Sequence, residues 1–151
     1  MTVSVTRSVR IAAPVEAVFD FTQDWSRRAE WDATVLGAEA LPGEDRAYRV
    51  RGPMGFSFIA RYKLFRRPER TSLALTDLSW PLLTGGGGSW EYRKDGDGTI
   101  WTQTNTISLS DRLLSRLLAM GLGASLARET QKAMDKAKAL LEASRAAKAG
   151  A

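Results

Sequence analysis

Two residue types are missing from this chain of 151 residues, cysteine and histidine. Without cysteine there is no disulfide and no thiolate nucleophile. Without histidine the chain lacks the commonest general base and the commonest metal ligand, so a zinc site of the usual kind cannot form. We therefore expect no metal and no cofactor, and any catalysis would have to rest on carboxylates, tyrosines or a positioned water.

Long apolar runs are also scarce. The longest, residues 117–127, is too short to span a bilayer, and the alternating N-terminus does not have the pattern of a signal peptide. The formal net charge is +5, but the basic residues are spread along the chain rather than gathered in the dense patch that nucleic-acid binding requires. We expect a soluble cytoplasmic protein that binds no nucleic acid and contacts membranes at most peripherally.

No proline follows Pro81, and the end of the chain has the pattern of one long helix, from about residue 111 to about residue 145. From Leu126 onward its apolar residues form one stripe, whereas residues 113–122 are apolar around the whole axis, which predicts contacts on several sides or at a cavity mouth. Gly121 and Gly123 lie there, and they are compatible with a gating kink or with close packing against a sheet. We expect a single domain over residues 1–151, with a frayed tail over residues 144–151.

The rest of the chain predicts a sheet that covers this helix. Residues 3–11 alternate as a half-buried strand, and two short helices follow, one after Pro14 and one between Trp25 and Trp31. About six further strands are then joined by turns such as residues 95–98. The run Gly85–Gly88 lacks the Gly-Lys-Ser/Thr sequence of a phosphate loop, so we interpret it as a loop or strand entry. This order predicts an α+β fold, an antiparallel sheet curved around the terminal helix.

Several local sequences resemble the SRPBCC superfamily of START-related, polyketide cyclase/dehydrase and pollen-allergen-like helix-grip proteins. They are the opening strand 3–11, the segment 13–19, Asp24 with Trp31, the turn 97–99 and the helix end at 140–142. The resemblance covers nearly the whole chain and implies a seven-stranded antiparallel sheet that grips a long helix, with an apolar cavity between them. Members of the superfamily bind lipids, sterols, polyketides, quinones or plant hormones, and some are cyclases or hydrolases. The same fold serves many functions, so the resemblance does not choose among them.

A sheet that faces one helix has more inward surface than the helix can cover, so we expect a cavity in its wide part. The alternation of each strand gives the inward residues, and the helix start contributes one more. The predicted ligand-binding residues are Phe58, Tyr62, Leu75, Asp77, Trp90, Tyr92, Trp101, Gln103, Asn105 and Leu117.

Three polar members of this set are the informative ones. An amide buried without a partner costs about 1–3 kcal/mol, so Gln103 and Asn105 indicate either a wet cavity or a hydrogen-bonding ligand. The alternative is an edge strand or a register slip that turns both amides to solvent. Asp77 is either a strand-end carboxylate in water or a pocket acid, paired with Arg7.

Three functional hypotheses follow. The first is binding of a hydrophobic small molecule, such as a lipid, a quinone or a polyketide, by a monomer or homodimer. The second is a cyclase or dehydratase that uses Asp77, Tyr62 or Tyr92 as its acid–base group. The third is a membrane-surface or protein-interaction module that uses the apolar helix start. Binding needs only shape, dryness and a few hydrogen bonds, so we favour the first hypothesis.

Overall fold

A computed structural model describes residues 1–150, except for the side chains of residues 113–115 and 117. The chain begins with strand β1 (Thr2–Ile11), helix α1 (Val15–Gln23) and a short 3₁₀ helix (Trp25–Glu30). Six strands, a second 3₁₀ helix of three residues (Pro53–Gly55) and one long helix follow within the described part of the chain. They are β2 (Gly37–Ala40), β3 (Ala47–Arg51), β4 (Ser57–Arg66), β5 (Arg70–Thr76), β6 (Leu83–Asp95), β7 (Gly98–Leu109) and α2 (Leu113–Ala149).

The strands of residues 1–150 form one seven-stranded sheet in the order β1-β7-β6-β5-β4-β3-β2, and neighbouring strands are antiparallel. Strands β2 to β7 therefore pair consecutively in sequence order. Strand β1 pairs with β7 and forms the edge opposite β2. The predicted fold is confirmed, including both short helices and the terminal helix. Strand β7 lies in the interior of the sheet, and Asn105 on its inward face is hydrogen-bonded to Thr130 of α2.

The glycine run differs from its sequence interpretation because Gly85–Gly88 belongs to the interior of β6. A Cβ atom at Gly86 would lie 2.8 Å from the carbonyl oxygen of Thr106 on β7 and 3.2 Å from the Leu75 side chain on β5. The absence of side chains therefore permits close approach of the neighbouring strands. The hairpin between β6 and β7 is as predicted, with Gly96 at a φ of 60°.

One end of the space between the sheet and the helices is filled by large side chains. Trp31, Trp101 and Phe19 are each at most 1% exposed, and Met134 and Ala137 of α2 cover them. The two indole rings meet edge to face, with centroids 5.6 Å apart. This arrangement gives the fold a close-packed core beside the second half of α2.

Helix α2 extends to Ala149, beyond its predicted end near residue 145. Arg145 Nη1 donates hydrogen bonds to the carbonyl oxygens of Ala12, at 2.8 Å, and Asp97, at 3.3 Å. Both glycines of its first half lie within the continuous helix, and a Cβ atom at Gly123 would contact Val3 of β1 at 3.5 Å. No helix among the described residues is both long and apolar enough to cross a membrane.

Candidate functional site

A cavity of about 440 Å³ lies between the sheet and the first half of α2. Its walls come from the region of the 3₁₀ helix, from β4 to β7 and from residues 122–133 of α2. Apolar side chains make up most of the sheet wall and the opening: Val35, Met54, Phe56, Phe58, Leu73, Leu75, Trp80, Trp90 and Ile107. The volume and the apolar lining are typical of sites that bind small molecules.

The glycines of β6 open this cavity. Antiparallel pairing sets Gly88 opposite Asn105 of β7 and Leu73 of β5, so all three residues share one face of the sheet. A Cβ atom at Gly88 would lie 3.4 Å from Asn105 Oδ1 and 3.5 Å from Trp90 Nε1, two groups of the cavity wall. A larger residue at this position would therefore take up space that now belongs to the cavity.

The helix wall of the cavity is partly polar. Asn105 Nδ2 donates a hydrogen bond of 3.1 Å to Thr130 Oγ1, and this bond joins β7 to α2. Glu129, one residue earlier on the helix, also lines the cavity, while its carboxylate lies 3.4 Å from Lys132 Nζ and 3.7 Å from Arg128 Nε. The side chain of Glu129 is 34% exposed, so these ion pairs are largely solvated and weak.

A buried ion pair stands at the other side of the cavity. Arg28 Nε donates to Asp32 Oδ2 at 2.9 Å, and both side chains are only 10% exposed. Asp32 Oδ1 accepts two further bonds from Thr34, from its backbone N–H at 3.0 Å and from its hydroxyl at 2.6 Å. The carboxylate is therefore fully engaged, as a buried charge must be.

Two other polar groups of the lining have no hydrogen-bond partner among the described residues, Trp90 Nε1 and Gln103 Oε1. Trp90 and Gln103 are paired directly across β6 and β7, so their side chains leave the sheet on the same face. One is a donor and the other an acceptor. A buried polar atom without a partner is rare in folded proteins, so these two atoms are candidates for a hydrogen bond to a ligand or to ordered water.

The cavity brings together half of the residues predicted from the sequence. Phe58, Leu75, Trp90, Gln103 and Asn105 line it. The register of β7, between β1 and β6, rules out the edge-strand and slipped-register alternatives for the two amides. Leu117 is the predicted residue of the helix start, and its side chain lies outside the described residues.

Asp77 lies outside the cavity lining, and its predicted partner Arg7 is not its neighbour. Strand β5 ends at Thr76, and Asp77 follows in the left-handed backbone region with a φ of 53°. Its carboxylate lies 3.5 Å from Arg61 Nη1 and is 63% exposed. The reversal of the backbone at the strand end takes Asp77 off the inward face, so the strand-end alternative describes its position.

Tyr62, Tyr92 and Trp101 face inward as predicted, but they are not among the residues that line the cavity. Gln23 of α1 connects the two tyrosines, since it accepts a bond from Tyr62 Oη and donates one to Tyr92 Oη, both at 2.6 Å. Trp101 is 0% exposed and stacks on Tyr92, with ring centroids 6.2 Å apart. Tyr92 and Trp101 therefore belong to the packed core, whereas Tyr62 packs against a second buried cluster that contains Trp25 and Val35.

Burial also makes the tyrosines poor acid–base groups at neutral pH. Desolvation raises the pKa of Tyr62 to about 12, although a hydrogen bond from Trp25 opposes the shift. Desolvation raises the pKa of Tyr92 even further, although its hydrogen bonds with Thr22 and Gln23 oppose the shift. Both hydroxyls therefore stay protonated and serve as structural hydrogen-bonding groups.

Sequence reasoning missed the polar residues that do line the cavity, above all Arg28, Asp32 and Glu129. Arg28 and Asp32 were available as a pair of opposite charges four residues apart, a spacing that places both on one side of a helical turn. Such a pair is usually exposed, and only the surrounding indoles bury it here. No group of three or more metal-ligating side chains occurs in the described part of the chain.

Comparison with known proteins supports this assignment of the fold. The structure of the Zhui aromatase/cyclase from Streptomyces sp. R1128 has a TM-score of 0.79 at 16% identity, with 94% of each chain covered. A START superfamily protein from Mycobacterium smegmatis gives 0.74 at 16% identity, covering 91% of this chain and 98% of its own. At these identities the likeness concerns the fold alone.

A relative of known activity is also similar in sequence. The actinorhodin polyketide synthase bifunctional cyclase/dehydratase of Streptomyces coelicolor is 28% identical over 131 residues. The match covers 83% of this chain but only 41% of that protein. The sequence model of the family described as "Polyketide cyclase / dehydrase and lipid transport" matches residues 2–142. The chain therefore belongs to the polyketide cyclase/dehydrase and lipid transport family.

Proposed function

We propose that this protein binds a hydrophobic small molecule that carries a few oxygen atoms in the cavity under α2. The observation that supports the proposal most strongly is the combination of a cavity of about 440 Å³ with a mainly apolar wall. Burial of an apolar ligand there contributes about 25 cal/mol for each Å² removed from water. The unpartnered donor of Trp90 and acceptor of Gln103 would then orient the ligand rather than supply most of its affinity.

The ligand classes are those of the sequence analysis: a lipid, a quinone or a polyketide-like molecule. The family description includes both polyketide chemistry and lipid transport, and the relative from S. coelicolor is named for polyketide chemistry. Because this chain spans less than half of that relative, the activity of the whole relative is a hypothesis for this protein.

Native mass spectrometry tests the binding proposal. We expect freshly purified protein to carry an apolar molecule, or to take up one molecule per chain when a fatty acid, a naphthoquinone and an aromatic polyketide are offered separately. The class with the greatest occupancy identifies the ligand. The proposal fails if none of the three forms a saturable complex.

A second candidate, a cyclase or dehydratase, is supported by Glu129 together with the name of the S. coelicolor relative. A carboxylate in the wall can take a proton from a carbon beside a carbonyl and return it to a departing hydroxyl, which leaves as water. Asp77, Tyr62 and Tyr92, the candidates from the sequence, are less suited to this step because they are not among the residues that line the cavity.

Glu129→Gln separates the two candidates, with Asp77→Asn as the matched control carboxylate outside the cavity. An enzyme of this type would lose turnover of a linear polyketide in Glu129→Gln while it retained binding, and it would keep both in Asp77→Asn. A binding protein would show no turnover in the native form and equal affinity in all three.

The surface-module hypothesis stays a prediction. Leu118 and Met120 of α2 are 47% and 83% exposed, and Met54 and Trp80 are exposed where they line the cavity. Flotation with anionic liposomes and a mass measurement across protein concentrations test it. If the protein does not float with the liposomes and its mass does not change with concentration, neither membrane binding nor self-association is its function.

A further inference from the structure

Arg28 is held firmly without the use of its terminal nitrogens. Its guanidinium carbon lies 4.3 Å from the ring centroid of Trp90, 4.5 Å from that of Trp31 and 4.9 Å from that of Trp25. Asp32 fixes the remaining side, through Nε alone. Three aromatic rings and one carboxylate therefore define the position of the guanidinium plane before any ligand arrives.

Nη1 and Nη2 of Arg28 make no hydrogen bond to any residue that the structure describes. Arg28 is 8% exposed and lines the cavity, so the cavity is where partners for these donors can lie. These donors are therefore free to bind water or a ligand in the cavity. The planar arrangement of two terminal nitrogens matches two acceptor oxygens held in one plane.

Asp32 decides the charge that such a ligand can have. Its two oxygens are already occupied by Arg28 and Thr34, so it neither competes for the terminal nitrogens nor binds the ligand. The Arg28–Asp32 pair is neutral overall. The ligand group that binds Arg28 can therefore carry one delocalised negative charge or a strongly polarised pair of oxygens. A cationic group would be repelled by the guanidinium.

The indole of Trp90, which carries one of the unpartnered atoms of the wall, lies beside Arg28. The Trp90 ring that contacts its guanidinium also has the free Nε1, and Gln103, with its free Oε1, is the direct β7 partner of Trp90. One end of the cavity therefore offers the terminal donors of Arg28, a further donor and one acceptor. The rest of the wall is mainly apolar.

We propose that Arg28 is the residue that anchors the ligand, and that the ligand carries a planar pair of acceptor oxygens on an apolar body. Nη1 and Nη2 bind the two oxygens, and Trp90 and Gln103 engage neighbouring oxygen and hydroxyl groups. A carboxylate and an enolised β-dicarbonyl both supply this chemistry. The inference rests on the proposed binding function and adds to it the group by which the ligand is recognised.

Three naphthalene probes test the inference by quenching of tryptophan fluorescence, since Trp25 and Trp90 line the cavity. Naphthoate carries a carboxylate, naphthoylacetone carries an enolisable β-dicarbonyl, and ethylnaphthalene carries no oxygen. We expect one or both oxygenated probes to bind the native protein at least about tenfold more tightly than ethylnaphthalene, because hydrogen bonds to a buried charge are strong. Which of the two binds more tightly identifies the source of the oxygen pair.

The double variant Arg28→Leu/Asp32→Asn removes both charges together, so no unpaired buried carboxylate remains. We expect it to lose about tenfold in affinity for the preferred oxygenated probe and to keep its affinity for ethylnaphthalene. Arg28→Lys keeps the charge but not the planar pair of nitrogens, and it should weaken the same probe by a smaller factor. Arg27→Gln is the matched control, because Arg27 is exposed and paired with Glu30.

The outcomes separate the two proposals. Equal affinity of the three probes for the native protein would overturn the anchoring role and leave the binding function intact. An equal loss of all three probes in a folded Arg28→Lys variant would also overturn it. If no probe binds the native protein at all, the binding function itself fails.

Discussion

The two ends of the space between sheet and helices differ in what fills them. At one end, Trp31 and Trp101 pack against Met134 of α2, and all three side chains are at most 1% exposed. At the other, Gly88 leaves a gap that the first half of α2 covers but does not fill. The same sheet and the same helix therefore give a rigid core and a cavity, and side-chain volume on a few strand positions decides which is which.

The core and the cavity meet between successive inward-facing residues of the same strands. On β7, Trp101 lies in the core, and Gln103, the next inward residue, lines the cavity. On β6 the corresponding pair is Tyr92 and Trp90, which the register sets opposite them. Stability is expected to depend mainly on the core, and binding mainly on the cavity.

The largest expected effect is a loss of stability on truncation in the core. Trp31→Ala should lower the free energy of unfolding by about 3–5 kcal/mol, because a fully buried indole is replaced by a void. Leu75→Ala in the cavity wall should cost only about 1–2 kcal/mol, since that side chain already borders empty space. Urea denaturation of both variants measures the difference. Equal costs would contradict the division into a core and a cavity.

The next effect is a loss of stability at high pH that originates in the core. In the unfolded chain the tyrosines ionise near pH 10, whereas burial raises the pKa of Tyr62 to about 12 in the folded protein. The unfolded state thus binds fewer protons above pH 10, and stability falls by about 1.4 kcal/mol per pH unit for each such tyrosine. This contribution is fully present below pH 10 and disappears as the pH rises toward 12.

Tyr62→Phe should be less stable than the native protein at neutral pH, since Trp25 and Gln23 lose a hydrogen bond. Its decline above pH 10 should nevertheless be shallower, because one of the buried tyrosines is gone. Chemical denaturation between pH 8 and pH 12 gives both slopes. Parallel slopes would show that Tyr62 ionises in the folded state as easily as in the unfolded one.

A smaller effect separates binding from stability. Gly88→Val places a branched side chain beside Asn105 and Trp90, and it should lower the affinity for an apolar ligand by about tenfold or more through lost volume. Ser89→Val, on the opposite face of the same strand, is the matched control and should bind as the native protein does. Calorimetric titration measures both. A loss of affinity in Ser89→Val alone would contradict the assignment of the cavity face.

The smallest effect concerns the hydrogen bond that crosses the cavity wall. Thr130→Val removes the acceptor of Asn105 Nδ2 and should cost about 0.5–1.5 kcal/mol, with faster hydrogen exchange in the first half of α2. Gln131→Ala breaks an exposed bond to Asp135 on the helix surface and should change stability by less than about 0.5 kcal/mol. Exchange that quickens equally along the whole helix would indicate a global rather than a local effect.

The sequence was sufficient for the fold because alternation, turn residues and an uninterrupted helical pattern all pointed to one arrangement. It was also sufficient for the inward faces of the strands, since strand periodicity assigns each side chain to a face. Periodicity does not say where along a strand the cavity begins. Tyr92 and Trp101 therefore shared the predicted face with Trp90 and Gln103, although only the latter two border the cavity.

The polar residues of the cavity wall could not be predicted from the sequence for a related reason. Arg28 lies on the 3₁₀ helix and Asp32 follows its end, where a charged pair normally faces solvent. Here the indole of Trp90, distant in sequence, joins those of Trp25 and Trp31 around Arg28. For Asp77 the sequence left a strand-end carboxylate and a pocket acid open, and its left-handed backbone takes it off the inward face, as in the first alternative. Contacts between elements and backbone reversals at strand ends are not encoded in a local pattern.

The most direct test of the account is a titration with the neutral fluorophore N-phenylnaphthylamine, which has no group for Arg28 to bind. The native protein and Ser89→Val should each show saturable enhancement of fluorescence at one site per chain, and Gly88→Val should show little. Saturable enhancement of equal strength in Gly88→Val would place the probe elsewhere on the protein. That result would contradict the claim that an apolar ligand binds between β6, β7 and the first half of α2.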